Sequence, residues 1–310
     1  MRIVSLLPSA TEIVHRLGLG GDLVGVTFEC DEPADARERA SVVVGGLDTA
    51  GLTPGQIDAR VRAAVAAGED LYTLHRDALV GLDPELILTQ DLCAVCALPS
   101  GQVEAALVHL GCRADVLTLD PHRLGDVLDV ILAVGVRAGV PERAAALVAD
   151  LTGRLAAVAA RTAGRPRPRV AVLEWTDPPF AAGHWVPDLV SAAGGEPVGA
   201  VAGSRSVATS WAGIAATRPD LVLVAPCGYG LAAAADQAAA VGALLPPVPV
   251  WAVDANAVVV RPGPRLVDGV EALSAVLHPD PGYPIPEQLI RPVESPDRAP
   301  RDGAATPVSS

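Results

Sequence analysis

Five cysteines stand at positions 30, 93, 96, 112 and 227, and four of them directly follow short apolar runs: Phe-Glu-Cys30, Asp-Leu-Cys93-Ala-Val-Cys96 and Ala-Pro-Cys227-Gly. The Cys-x-x-Cys spacing lets two thiolates share one metal or cluster. Two further cysteines, Cys30 and Cys227, would complete a tetrahedral zinc site or an iron–sulfur cluster. Two other readings stand beside this one. A cysteine in an apolar chain also serves as a small buried hydrophobe, the reading that suits Cys112, and Cys93 and Cys96 could form a disulfide in an exported or redox-active protein. His184, between Gly183 and Trp185, is either an axial metal ligand through neutral imidazole or a hydrogen-bonded residue at a helix start. Glu29, Glu174 and Asp177 could hold a metal or move a proton, and equally could be solvated loop acids. Trp175, Trp185 and Tyr229 offer flat faces for a flat ligand or for packing. No Ser-His-Asp order with a nucleophile elbow occurs, and no residue is assigned a catalytic role. His15 and His109 fall on helical patterns and are read as structural.

Composition narrows the chemistry. The 310 residues carry a net charge of −13, and every base is Arg, for the chain contains no Lys. An acidic chain is a poor nucleic-acid partner. Without a primary amine there is neither a P-loop lysine nor a Schiff base. Half the residues are apolar but aromatics are only 3%, so the core must be built from small and branched aliphatics, as where helices cover parallel sheets.

The elements that must position these residues alternate. Runs at Ile3 to Leu7, Leu23 to Thr27, Leu86 to Thr89 and Val116 to Leu119 read as buried parallel strands. Between them lie helical patterns at Ser9 to Leu17, Gln56 to Ala67 and Gly101 to Leu110. Ser9 and Glu12 have the spacing of a capping box. Residues 1–120 thus form one α/β lobe. Residues 121–168 are a helical linker, with helices at Leu124 to Ala138 and Pro141 to Ala163, the second long enough to bridge two lobes. Alternation resumes over 169–280, with strands at Val170 to Glu174, Leu221 to Ala225 and Val250 to Val253, and helices near Trp185 to Ala193 and Pro264 to Leu277. Pro, Ser, Asp and Arg crowd residues 281–310, which predicts a partly disordered tail. The expected fold is α/β: two Rossmann-like lobes joined by a long backbone helix, with a ligand cleft between them.

The opening Met-Arg-Ile-Val-Ser-Leu-Leu is broken by Pro8 with no small-residue cleavage site after it, so it reads as a first strand rather than a signal peptide. That predicts a cytoplasmic protein; a chain whose leader had been replaced by Met1 would look the same and would be exported. No uninterrupted apolar run is long enough to span a membrane.

Four sequence features together resemble the cobalamin and ferric-siderophore substrate-binding proteins of ABC importers, which have a helical backbone and a class III periplasmic-binding-protein-like fold. They are Arg-Ile-Val-Ser-Leu-Leu-Pro-Ser-Ala-Thr-Glu from Arg2, the strand entries Pro84 to Ile87 and Pro219 to Val222, Pro-Pro-Phe-x-x-Gly over Pro178 to Gly183, and Ala-Gly-Gly-Glu at Ala193 to Glu196. The resemblance runs from about Arg2 to Leu277. It implies capture of cobalamin, another corrinoid or a metal–siderophore chelate without covalent chemistry. It implies a cleft lined by Pro8, Ser9 and Thr11, by Asp91 to Cys96, and by Trp175 to Asp177, His184 and Trp185. It also implies docking on an ABC permease through one acid per lobe. Glu196 matches one of these acids, and Asp77 stands where the family has Glu. Two features depart from the family: no leader is present, and Gly45 to Arg76 is longer than expected, with an extra helix-like insertion. The rival reading, from the cysteines, is a cytoplasmic metalloprotein holding a Cys-ligated cluster or metal in the same cleft.

Overall fold

A computed structural model of the chain describes residues 1–91, 101, 103 and 114–293. The first lobe is built on β1 (Ile3–Ser5), β2 (Leu23–Thr27), β3 (Ser41–Gly46), β4 (Tyr72–Leu74), β5 (Leu86–Thr89) and β6 (Asp115–Thr118). They lie in the order β4-β3-β2-β1-β5-β6. All neighbours are parallel except β3 and β4. Parallel strands need their carboxyl ends joined to the next strand by a crossover, which places the loops following them at one edge of the sheet.

The second lobe carries β7 (Arg169–Thr176), β8 (Pro179–Ala181), β9 (Glu196–Pro197), β10 (Val207–Ala208), β11 (Leu221–Val224), β12 (Val250–Val253) and β13 (Ile290–Val293). Its order is β10-β8-β7-β11-β12-β13, with β9 also on β7. The central β7, β11 and β12 are parallel, so their carboxyl ends also share one edge.

Both faces of each sheet are covered by aliphatics. Ile3, Leu86 and Leu88 face one core of the first lobe and Val4 and Ile87 the other, as the two-residue period of a strand requires. Val172 and Leu223 face one core of the second lobe, and Ala171, Leu173, Val222 and Val224 the other. The helix Pro141–Thr162 ties the lobes together: its Ala144 and Leu151 enter the first lobe's core and its Val158 the second's. At 1.5 Å per residue its 22 residues span about 33 Å. It packs closely on the helix Leu124–Arg137, where Gly135 leaves the room that a Cβ would take from Ala144.

Several sequence expectations change. The helix expected from Ser9 begins at Pro8, with Leu7 as N-cap and no side-chain cap. Proline is favoured in the first turn, so Ser9 lies inside the helix and the Ser9–Glu12 capping box does not form. The extra segment resolves into the ends of β3 and β4 around a 14-residue helix, Pro54–Ala67, with a capping box from Thr53 and Gln56. The tail expected to be disordered includes β13, which pairs antiparallel with β12 and buries Ile290 completely. Helices at Trp211–Ala216, Leu231–Gly242 and Ala255–Val258 were not legible; the second is so rich in alanine that it has no polar stripe to mark a period. The expected helix at Gly101 to Leu110 lies outside the described residues.

Candidate functional site

The loops following the parallel strands hold most of the residues singled out from sequence. In the first lobe, Pro8 is half-buried at the start of the helix Pro8–Arg16, whereas Ser9 and Thr11 are buried within it. The Thr11 hydroxyl donates to Ser5 Oγ at 2.9 Å and lies 3.0 Å from Cys30 Sγ. Cys30 also accepts from the Thr27 amide at 3.4 Å and sits 3.3 Å from Thr27 Oγ1. Thr11 and Cys30 are therefore parts of a closed polar network under the cleft floor, not cleft surface.

This network surrounds Cys30 with hydroxyl and amide partners. Burial pushes its thiol pKa up, against smaller opposing effects from Thr11 and Thr27. Ligation needs the thiolate, which this site disfavours. Cys227 is exposed in the loop after β11. Cys93, Cys96 and Cys112 lie outside the described residues. Among the described residues no group of three or more His, Cys, Asp or Glu side chains is arranged to hold a metal ion.

Glu29, after β2, is half-buried; burial raises its pKa, and the charge of Arg261 and a hydrogen bond with Tyr72 oppose that rise. Phe28 lies 6.4 Å from Tyr72, ring centre to ring centre. Gly46 makes this possible, since a Cβ there would come within 2.5 Å of the Phe28 ring. Asp91 is exposed, and its amide donates to Asp120 Oδ1 at 2.6 Å, joining the ends of β5 and β6.

In the second lobe, Trp175 and Tyr229 form a half-buried aromatic pair, 5.9 Å apart and inclined at 52°, at the ends of β7 and β11. The Trp175 indole donates to Asp177 O at 3.0 Å, which fixes the ring. Burial raises the pKa of Tyr229. Trp185 behaves differently: it is buried in the core and donates to Val259 O at 2.8 Å, so it cannot stack on a ligand.

His184 has φ +50° and is held by its amide donating to Ser204 O and its carbonyl accepting from Gly203. Its Nε2 is buried without a hydrogen-bond partner among the described residues, and its ring lies 6.2 Å from that of His122. Burial first, then His122 and Arg205, lower its pKa. The ring thus favours neutral imidazole, with Nε2 closed to a bound molecule in this side-chain orientation.

The inserted helix Pro54–Ala67 reaches from the first lobe to the second: a Cβ on Gly55 would overlap the carboxylate of Asp177. Asp77 is exposed in the first turn of the helix Arg76–Leu82 of the first lobe. Glu196 is exposed on the second lobe and paired with Arg169 at 2.6 Å.

The sequence reading missed one constellation. Glu12, only 3% exposed, lies 3.7 Å from Arg261 and 3.9 Å from Arg265, both from the second lobe. Arg261 also pairs with Asp31 and donates to Glu29 O, and Arg265 lies 3.6 Å from Glu32. Burial drives the Glu12 pKa up to about 7 against the pull of Arg265 and Arg261. The available signal was an acid among Ala10, Ile13 and Val14, and two arginines flanking Pro-Gly-Pro.

Comparison with known proteins agrees with this architecture. The family model for periplasmic binding proteins matches residues 3–244. No curated protein sequence gives a match. Among solved structures, the periplasmic vitamin B12 binding protein of Vibrio cholerae is 23% identical, with a TM-score of 0.61 over 89% of this chain and 96% of that one. A periplasmic heme binding protein from Pseudomonas aeruginosa is 22% identical, with a TM-score of 0.66 over 95% of both chains. A possible iron-binding periplasmic solute-binding protein from Staphylococcus epidermidis is 20% identical, with a TM-score of 0.64 over 89% and 98%.

Proposed function

The chain belongs to the periplasmic binding protein family, and on that premise we propose that it captures a corrinoid such as cobalamin between its lobes and delivers it to an ABC permease. Members of the family bind solutes and do not catalyse reactions, and their partners are a small-molecule ligand and the permease. No described helix is long and apolar enough to cross a membrane. In this reading residues 1–120 and 169–280 are the ligand-holding lobes, 121–168 the helical linker whose backbone helix limits their closure, and Asp77 and Glu196 the docking acids.

The observation that carries the reading is the Trp175–Tyr229 pair, a fixed aromatic surface at the carboxyl ends of β7 and β11, where open α/β sheets receive ligands. Neutral His184 would ligate a metal centre only after turning its buried Nε2 outward. Charge favours a corrinoid over heme. The first four residues after β1, β2, β3, β5, β6, β7, β11 and β12 include Glu29, Asp31, Asp48, Asp91, Asp120, Asp177 and Asp254, and no Arg or Lys. An acid-rich edge, answered at Glu29 and Asp31 by Arg261, disfavours like-charged ligands. Heme carries two carboxylates, whereas the corrin periphery is amidated.

Titration with cobalamin, hemin and a ferric hydroxamate, followed by tryptophan fluorescence and by the ligand's visible spectrum, tests the proposal. Cobalamin is expected to bind more tightly than hemin. The W175A/Y229A double variant is expected to bind cobalamin at least about tenfold more weakly, since each lost aromatic contact is worth about 1 kcal/mol. Absence of cobalamin binding to the unmodified chain overturns the proposal.

A further inference from the structure

Glu12 is an odd carboxylate in an otherwise matched cluster. Arg261 has a hydrogen-bonded partner in Asp31, and Arg265 has a nearer partner in Glu32 than in Glu12. That leaves Glu12 beyond hydrogen-bond distance of either guanidinium, with Oε1 buried and without a hydrogen-bond partner among the described residues. Even with Glu12 neutral, the two arginines already face Asp31, Glu32 and Glu29. If it is ionised, a further negative charge sits where water is excluded, and burying an incompletely paired charge is costly.

The cluster occupies the place where the lobes meet. On one side Val267, from the helix Leu266–Leu277 of the second lobe, is buried in the first lobe's core beside Ile3, Leu7 and Ile13. On the other side Arg261 grips the Glu29 carbonyl and the Asp31 side chain, in the first lobe's loop after β2. Gly263 lies over Ser9 and Glu12 with room for no more than ordinary contact. Relative motion of the lobes has to pass through these contacts.

We propose that Glu12, Arg261 and Arg265 form a proton-sensitive latch at the pivot between the lobes, in which neutral Glu12 lets the Arg261–Arg265 segment close dry against the first lobe and ionised Glu12, which must be hydrated despite its attraction to the two arginines, loosens it. Among the described residues the charged groups facing Glu12 are Arg261 and Arg265 from the second lobe and Asp31 and Glu32 from the loop after β2, and Glu29 of the same loop is coupled to Arg261 and Asp31. The sign follows from linkage. A carboxyl whose pKa is about 7 when enclosed and near the ordinary 4.5 when wetted binds its proton more tightly in the latched arrangement, so acid favours latching and alkali favours release. Between pH 6 and pH 8 the latched-to-loosened ratio falls about tenfold. The latch acts without ligand, so its test is independent of what the cleft binds.

Amide hydrogen exchange of the unliganded full-length protein, corrected for the intrinsic pH dependence of exchange, reads the latch directly. Protection of the segments 28–32 and 260–266 is expected to be about tenfold greater at pH 6 than at pH 8. E12Q is expected to keep the pH 6 protection at both values. Should E12Q not fold, carbon NMR of glutamate-labelled unmodified protein is expected to show one carboxyl titrating near pH 7. Equal protection at both pH values, a pH-dependent loss that persists in E12Q, or no glutamate titrating above pH 6 would overturn the proposal.

Discussion

Cys30 and Cys227 are the same residue type after the same kind of strand, yet one is sealed beneath Thr11 and Thr27 and the other is exposed. Thiol reactivity follows exposure and thiolate content. Cys227 is therefore expected to be alkylated by iodoacetamide in the native protein, with Cys30 unreacted until the chain is unfolded, as peptide mapping of the labelled protein checks. Trp175 and Trp185 divide in the same way. The strand β7 runs to Thr176, which holds Trp175 at the strand's carboxyl end, whereas Trp185 turns into the core to reach Val259. Residue type announced aromatic contact for both. Only the burial of Trp185 in the second lobe's core, with its indole on Val259 O, decided which one is spent on the core.

At the scale of elements, the helix Pro54–Ala67 and the paired helices Leu124–Arg137 and Pro141–Thr162 make opposite demands. Of the residues of Pro54–Ala67 only Ala64 is buried, so the helix adds little to the core while its first turn meets Asp177 across the lobes. Replacing residues 51–68 with a short Gly-Ser link is expected to leave the fold intact by circular dichroism and to speed ligand dissociation in stopped-flow measurements. Gly135 is the reverse case, because any side chain there meets Ala144 on the backbone helix. G135V is expected to destabilise the protein by about 1–3 kcal/mol, the usual cost of overpacking, measured by urea denaturation. The helix was legible from periodicity over Gln56 to Ala67, but its start was not, because the local signal of Thr53, Pro54 and Gln56 that sets it at Pro54 went unread. What the helix touches was not legible either, because Asp177 is more than a hundred residues away.

For the whole molecule, the backbone helix determines how the lobes are held. Arg154 donates to Glu271 and Asp268 of the helix Leu266–Leu277, and Leu155 packs on the cores of both lobes. Arg154 is partly exposed, so R154A is expected to cost only about 1 kcal/mol in urea denaturation. Composition and the two blocks of strand–helix alternation fixed an α/β chain with a helical bridge, because hydrophobic period and turn residues are local properties that burial in parallel sheets imposes on each segment. The strand β13 escaped that reading: Ile290–Val293 contains Pro and Arg, and only an open edge of β12 makes it a strand. Glu12 escaped for the same reason. Its spacing from Ser9 suggested a local cap, but Pro8 took the helix start and the tertiary fold brought Arg261 and Arg265 to it from about 250 residues away. The sequence by itself thus determined the class of fold, the bridge and the strand ends that carry the candidate site residues. Tertiary structure alone decided which of those groups are buried, which meet across the lobes and which carry an altered charge, because burial and long-range electrostatics depend on neighbours that chain order does not specify.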